Sequence, residues 1–396
     1  MKCIAAAVVS ALLILANFAG APGAETPYEI NAILPLSGGG AFLGKSEQEG
    51  LGALEATINA TGGIRGRNVK FIVSDTQTSG QVGLQLVNGL IAKHVAFFID
   101  GAPSTVCNSS IPLVEKAGPL DFCLSPLIYP APRSYVFASG ATSNDLIAVA
   151  IRFYRLRGFK RIATISTTDT SGQSNDRAVA LAMARPENRD VRIVASEHFN
   201  PTDISVTAQL TRMLAARPEA LIVSTTGAPL GTVLRGLKDS GADLPVITGN
   251  GNMTYTQMEA YASILPRDLY FTSLRGILPE GTLKGPLRDA QAVYVNAFRK
   301  QHMRPDIGQS LIWDPVTLIV EALRSIGPAA TAEQLHAYVL SQHSWVGTNG
   351  VYDFASGDQR GLGDGAIVVA RWDAATSTWT QVSAPKGLPN TRTNAK

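Results

Sequence analysis

A glycine-rich segment near the start of the chain has the residue types and spacing of a phosphate-binding loop. Residues 38–46 read GGGAFLGKS, and from Gly39 they fit the pattern G-x-x-x-x-G-K-[ST]. In such loops the backbone N–H groups at a helix N-terminus hold phosphates while the lysine reaches the outer ones. Lys45 would be that lysine, and Asp75 could hold a magnesium ion. An ordinary strand-to-helix turn is the alternative, which the bulky Phe42 and Leu43 favour.

Other catalytic and metal-binding patterns are missing from the sequence. No G-x-S-x-G motif or Cys/His nucleophile pair is found. The histidines lack the i, i+4 spacing of a helical metal site; they are His94, His198, His302, His336 and His343. We therefore expect no cofactor, no metal and no enzymatic activity. A nucleotide-dependent or hydrolytic enzyme remains the alternative.

The N-terminus has the features of an export signal. Lys2 precedes an apolar run from Ile4 to Ala16, which is too short to span a bilayer, and small residues up to Ala24 offer cleavage sites. We expect a cleaved signal peptide over residues 1–24 and a periplasmic protein, with an uncleaved anchor helix as the alternative. Export weighs against the phosphate-binding loop, because little nucleoside triphosphate exists outside the cytoplasm.

Length and composition exclude several functional classes. The chain has 396 residues, enough for two domains, and a hydrophobic content of 45%, which is ordinary for a globular protein. Its net charge of +3 is too small to indicate a nucleic-acid partner. Removal of the signal would leave Cys107 and Cys123, and an oxidising compartment favours a disulfide between them, worth about 3 kcal/mol. Two buried free thiols are the alternative.

Apolar strands alternate with amphipathic helices along most of the sequence, which predicts an α/β fold with parallel sheets. The alternation restarts near residue 144, breaks around Tyr270–Arg275, and is followed by three helices and a C-terminal antiparallel strand pair. Pro315 is expected to start or kink one of these helices, with Asp314 near its cap. Two similar units predict a ligand crevice between lobes.

The predicted division has a first lobe of residues 25–145 plus about 274–355 and a second lobe of residues 146–273 plus about 356–384. Residues 385–396 are predicted to form a loose polar tail. The chain would thus cross between the lobes more than once.

Two sequence blocks resemble the branched-chain amino acid (Leu/Ile/Val-binding) type of periplasmic substrate-binding protein of ABC transporters. They are Ile33–Gly38 (ILPLSG), with Gly44 behind it, and Ile58–Gly66 (INATGGIRG), followed by Asp75-Thr76. Weaker matches continue along essentially the whole mature chain. The resemblance implies a type I periplasmic binding protein fold, in which two Rossmann-like lobes are joined by a multi-crossover hinge and close on a small solute.

The resemblance also implies partners and site residues. The partners would be a small-molecule carboxylate, a membrane permease and an ATPase, with the protein itself a monomer. Carboxylate-binding N–H groups are expected at the helix that starts with Ser104 and Thr105, although Ser104 could merely cap that helix. By register the other contacts fall on Phe42 and Leu43, Leu127 and Tyr129, Thr225 and Thr226, and Asn250, with a loop from Asp169 to Ser174.

Asn250 departs from the family pattern. Amino-acid-binding members have an acidic residue there, which pairs with the ligand's ammonium, and a neutral amide cannot provide that charge-assisted bond. We therefore expect a carboxylate without an ammonium, and the apolar, partly aromatic wall of Phe42, Leu43, Leu127 and Tyr129 suits an aromatic acid of the benzoate or hydroxycinnamate type. Asn250 could instead point away from the cleft while another acid pairs with an ammonium.

Three functional hypotheses follow. The first is the solute-binding component of an uptake system. The second is a ligand-sensing receptor domain of the same fold. The lack of a transmembrane or kinase segment in the sequence argues against this second hypothesis. The third is an enzyme, either nucleotide-dependent through Gly39–Ser46 or hydrolytic. For the binding protein itself, a branched-chain amino acid or amide is the alternative ligand.

Overall fold

The computed structural model describes residues 26–278 and 283–390, so the predicted signal peptide lies outside the described residues. The first sheet has five parallel strands in the order β2-β1-β3-β4-β5. They are β1 (Tyr28–Leu34), β2 (Val69–Asp75), β3 (Phe97–Asp100), β4 (Leu120–Cys123) and β5 (Val136–Ala138). The central strands β3 and β4 are buried along their whole length, as expected for a sheet covered on both faces.

The second sheet has seven strands in the order β14-β13-β10-β9-β8-β6-β7. Its parallel part is β6 (Arg161–Thr167), β7 (Arg192–Phe199), β8 (Ala220–Ser224), β9 (Val246–Gly249) and β10 (Leu269–Leu274). The antiparallel edge is β13 (Ile367–Asp373) and β14 (Thr378–Gln381), and β11 (Trp345–Val346) pairs with β12 (Val351–Tyr352) in a separate ribbon.

Eleven α-helices occur among the described residues. They are α1 (Ala41–Ala60), α2 (Gly80–Ala92), α3 (Ser104–Val114), α4 (Ser143–Leu156), α5 (Thr170–Met183), α6 (Thr207–Ala215), α7 (Ala228–Asp239), α8 (Tyr255–Ala260), α9 (Pro286–Arg299), α10 (Ile307–Ile326) and α11 (Ala332–Leu340). Local signals start several of them: Thr142 caps α4, and capping boxes open α10 and α11.

The helices divide between the two sheets. α10 packs along α1 beside the first sheet, whereas α4 packs against α5 and the second sheet. The chain passes from one sheet to the other after β5, after β10 and after β12. The expected α/β architecture of two lobes with several crossovers is therefore confirmed, while the exact lobe limits stay a prediction.

A buried arginine joins two of the crossover segments. The Arg360 guanidinium donates to the carbonyls of Ser139 and Gly140 in one segment, and to those of Ser125 and Ile128. Burial lowers the pKa of Arg360 to about 10. Because these acceptors are backbone groups, the arginine fixes the path of the chain between the lobes.

Three local features bear on the sequence-based expectations. Cys107 in α3 and Cys123 in β4 form a disulfide, the pairing that the sequence favoured. Asp314 does not cap a helix: it is buried inside α10, where it accepts hydrogen bonds from the N–H groups of Thr348 and Asn349 and from the Tyr352 hydroxyl. Pro385–Gly387, in the predicted tail, packs against α4. Nowhere in residues 26–278 and 283–390 is there a helix apolar and long enough for a bilayer span.

Candidate functional site

A cleft of about 440 Å³ lies between the carboxyl ends of the strands of the two sheets. Loops after β1, β3 and β4 line it from the first lobe, and loops after β6, β8 and β9 line it from the second. This is the place where parallel α/β sheets usually bind ligands. The volume falls within the roughly 300–1,000 Å³ typical of small-molecule sites.

The two lobes touch each other around the cleft. The N–H of Ala228 donates to the carbonyl of Gly39 across the gap (3.3 Å). The rings of Phe42 and Tyr261 make an edge contact with centroids 5.9 Å apart. The arrangement is that of closed lobes.

The N-termini of two helices meet inside the cleft, one from each lobe. The Ser104 hydroxyl at the start of α3 lies 2.8 Å from the Ser171 hydroxyl near the start of α5. Ser104 does not cap its own helix, since Pro103 occupies the N-cap position and no side chain caps α3. The first N–H groups of a helix have no intrahelical acceptor, and helix dipoles place partial positive charge at both of these ends. An anion is therefore favoured between them.

Three buried polar atoms on the cleft wall lack a hydrogen-bond partner: Thr105 Oγ1, Ser224 Oγ and Asn250 Nδ2. Buried polar groups are normally satisfied, because an unmade bond costs about 1–3 kcal/mol. The Asn250 amide is only 2% exposed and its Nδ2 is a donor, so a ligand oxygen would satisfy it.

The cleft lining carries very little charge. No lysine, arginine or histidine is among the lining residues, and Asp169 is the charged side chain among them. Asp169 caps α5: its Oδ1 accepts hydrogen bonds from the N–H of Gly172 (3.1 Å) and the Thr167 hydroxyl (2.7 Å). An anion bound here would be held by N–H and hydroxyl groups instead of a side-chain cation.

The structure gathers most of the residues that the sequence placed in the site. Those that line the cleft are Leu43, Ser104, Thr105, Leu127, Thr225, Thr226 and Asn250. Asp169 and Ser171, from the predicted second-lobe loop, also line it.

The predicted aromatic wall is wrong, because Phe42 and Tyr129 lie outside the lining and no aromatic side chain takes their place. Phe42 packs against Tyr261 of the other lobe. Tyr129 is 50% exposed, and its hydroxyl bonds with the Ser143 hydroxyl (2.7 Å) and accepts from the N–H of Asn144 (3.2 Å). Phe42 therefore joins the lobes and Tyr129 holds the start of α4.

Sequence reasoning missed the aliphatic inner wall of the cleft. It is formed by Leu146, Ile147, Ala150, Ile222, Ile247 and Leu311. All six are largely buried. Their sequence signal is that of ordinary core positions, since the apolar face of α4 and the interiors of β8 and β9 look the same whether or not a cavity adjoins them.

The glycine-rich segment does not form a phosphate cradle. Lys45 is exposed on the outside of α1, while the Ser46 hydroxyl is buried against Asp306 and accepts from the N–H of Gln309. Gly44 is needed for packing, because a Cβ there would lie 2.2 Å from the Pro35 carbonyl oxygen. Asp75 accepts from the N–H groups of Leu36, Ser37 and Gln77 and so fixes the turn. The pattern match reflects a tightly packed strand-to-helix turn.

Three buried carboxyl groups lie behind the α3 end of the cleft. Glu47 accepts from the N–H of Ala102 (3.1 Å), and Asp100 and Asp121 both lie within 3.0 Å of the Ser110 hydroxyl. Burial raises the pKa of Glu47 to about 8 and that of Asp121 to about 7. Glu47 is therefore largely protonated at neutral pH, which limits the negative charge next to the site. Among the described residues, no group of three or more His, Cys, Asp or Glu could hold a metal ion.

The raised pKa of Glu47 predicts that the protein loses stability as pH rises from about 4.5 to about 8. The carboxyl is protonated in both states below its ordinary pKa of 4.5, so the folded state is disfavoured progressively as pH rises from there to about 8. Glu47→Gln should reduce the pH-dependent loss of unfolding free energy by up to about 5 kcal/mol over this range. Urea melts at pH 5 and pH 8.5 measure the difference. Glu29→Gln, on the exposed part of β1, is the control; equal pH slopes in both variants would contradict the prediction.

Comparison with known proteins supports the fold. An extracellular ligand-binding receptor from Rhodopseudomonas palustris HaA2 is 18% identical, with a TM-score of 0.80 over 90% of this chain and 100% of that one. The branched-chain amino acid transporter substrate binding protein LivJ from Streptococcus pneumoniae, in complex with isoleucine, is 17% identical (TM-score 0.74; 90% and 100% covered). An ABC transporter solute binding protein from R. palustris, in complex with benzoate, is 13% identical (TM-score 0.74; 92% and 97%).

No curated protein matches the chain significantly in sequence. Residues 27–377, however, match the family described as periplasmic binding protein. That match spans the first sheet, every strand of the second sheet except β14, all three crossovers and every loop that lines the cleft. The chain belongs to the periplasmic binding protein family.

Proposed function

We propose that this protein is the periplasmic solute-binding component of an ABC uptake system, and that it captures an aromatic carboxylate of the benzoate or hydroxycinnamate type between its lobes. The single observation that carries this proposal is the pairing of the α3 and α5 N-termini at Ser104 and Ser171. Both helix ends favour a negative charge at one point of a cleft whose lining offers no cation.

The unpartnered donor of Asn250 supports a ligand without an ammonium. Nδ2 can donate to a carboxylate, carbonyl or hydroxyl oxygen, whereas an ammonium has no acceptor to offer it. The aliphatic inner wall suits an apolar ligand body. A benzoate-bound protein of the same fold gives the ligand class a precedent.

Amino-acid binding is the second candidate, and Asp169 favours it. This carboxylate lines the cleft and could pair with an α-ammonium in place of the residue at position 250. A protein of the same fold binds isoleucine. Asp169→Asn separates the two candidates, because asparagine also caps helices well but carries no charge. The variant should lose amino-acid binding if that candidate is right and keep or improve carboxylate binding if it is not.

Thermal-shift measurements test the proposal on the mature protein. A ligand at a hundred times its dissociation constant adds about 2.7 kcal/mol to the unfolding free energy. We expect benzoate, 4-hydroxybenzoate or 4-hydroxycinnamate to raise Tm, and leucine, isoleucine and magnesium-ATP to leave it unchanged. A shift with leucine or isoleucine alone would reject the aromatic-acid proposal. Uptake of a ligand that raises Tm is then measured in cells that lack the gene. Loss of uptake indicates a transport component, whereas unchanged uptake indicates a sensor.

A further inference from the structure

The cleft continues inward as an apolar pouch between α4 and the second sheet. On the helix side it is lined by Leu146, Ile147 and Ala150, which share one face of α4 because Ala150 lies three and four positions after the other two. On the sheet side it is lined by Ile222 and Ile247, which are register partners in β8 and β9 and therefore point to the same face.

Leu311 of α10 adds a wall to this pouch from the first lobe. The six side chains named so far are aliphatic, and none is more than 8% exposed. Apolar cavities in proteins stay dry and take up apolar molecules, and an unfilled cavity in a core lowers stability. The six residues belong to the lining of the same cleft as Ser104 and Ser171, which makes the pouch a part of the ligand site.

The polar groups of the cleft lie at the entrance of the pouch. Ser224 is the last residue of β8 and lies two residues after Ile222, so both side chains point to the same face of the sheet. The Ser224 hydroxyl has no hydrogen-bond partner. Thr272 of β10 lies beside Gly249 at the end of β9. A ligand that runs from the helix N-termini into the pouch would thus meet hydroxyl groups along its middle and aliphatic side chains at its far end.

We infer that the pouch binds the apolar end of an elongated arylalkanoate, longer than benzoate, and that Ala150 sets the length that fits. This inference rests on the proposed function for the carboxylate end. Of the three helix-side residues, Ala150 has the smallest side chain and lies farthest along α4 from Ser143, the first residue of that helix and itself part of the cleft lining. A larger side chain at this position would therefore fill the end of the pouch.

A homologous series of acids tests the inference by isothermal titration calorimetry: benzoate, phenylacetate, 3-phenylpropanoate and 4-phenylbutanoate. Affinity should rise about fourfold for each added methylene, as expected for burial of that group, until the pouch is full. In Ala150→Phe the gain should disappear, so that 4-phenylbutanoate binds no more tightly than benzoate. Ile147→Ala, which enlarges the pouch, should move the optimum to a longer acid. Ala180→Phe, on the exposed side of α5, is the control and should behave like wild type.

The outcomes separate the two proposals. If none of the acids binds, the proposed function itself is rejected, and the pouch inference with it. If all four bind with equal affinity, or if the gain persists in Ala150→Phe, the carboxylate site stands and the pouch inference is overturned. A failure of Ala150→Phe to fold leaves Ile147→Ala decisive, because an unchanged length optimum in that variant overturns the inference by itself.

Discussion

Asn250→Asp is expected to lower affinity for an aromatic carboxylate about 100-fold. The change removes the buried donor Nδ2 and places a negative charge in a cleft whose lining holds no cation. At an effective dielectric constant of about 20, two like charges 5–6 Å apart repel by about 3 kcal/mol. Calorimetric titration of the wild type and the variant, with the best acid from the thermal-shift panel, measures the effect.

Asn88→Asp is the matched control, because it adds the same charge on the exposed face of α2, away from the cleft. It should leave affinity unchanged. The same titrations with isoleucine test the reverse effect, since an acid at position 250 offers a partner for an α-ammonium. Wild-type carboxylate affinity in Asn250→Asp would show that the Asn250 amide does not contact the ligand.

Gly227→Ala is expected to lower ligand affinity 10- to 100-fold by preventing lobe closure. Gly227 has φ +76° and ψ −140°, a conformation that costs other residues about 1–3 kcal/mol. A Cβ at this position would also lie 2.1 Å from the Gly39 carbonyl oxygen of the other lobe. The loop cannot easily move away, because Asn252 accepts from the N–H of Gly227 and Gln257 donates to its carbonyl.

The backbone strain acts in both open and closed lobes, but the clash with Gly39 acts only when the lobes close. Gly241→Ala is therefore the control: Gly241 also has positive φ (+68°), and a Cβ there meets no atom within 4 Å. Both variants should lose a similar amount of thermal stability without ligand. Small-angle scattering should show ligand-induced compaction in Gly241→Ala and not in Gly227→Ala; compaction in both would refute the proposed role of Gly227.

The position of Phe42 illustrates how far sequence reasoning reaches into a site between lobes. The sequence placed Phe42 in the strand-to-helix turn, whereas it lies in the first turn of α1, and the direction of its ring depends on Tyr261, more than two hundred residues later in the chain. The same holds for Tyr129, whose hydroxyl binds at the start of α4. A resemblance assigns a residue to a loop, whereas the neighbours in space determine where its side chain points.

The sequence by itself determined the alternation of strands and helices, the two α/β units, the break after β10 and the helix that begins at Ser104, because periodicity and capping act over a few neighbouring residues. Only the tertiary structure decided that α3 and α5 point their N-termini at one another, that Asp314 holds the loop before β12 instead of a helix end, and that α4 covers an aliphatic pouch. Those features arise from contacts between segments far apart in the chain, and local residue patterns are the same with or without them.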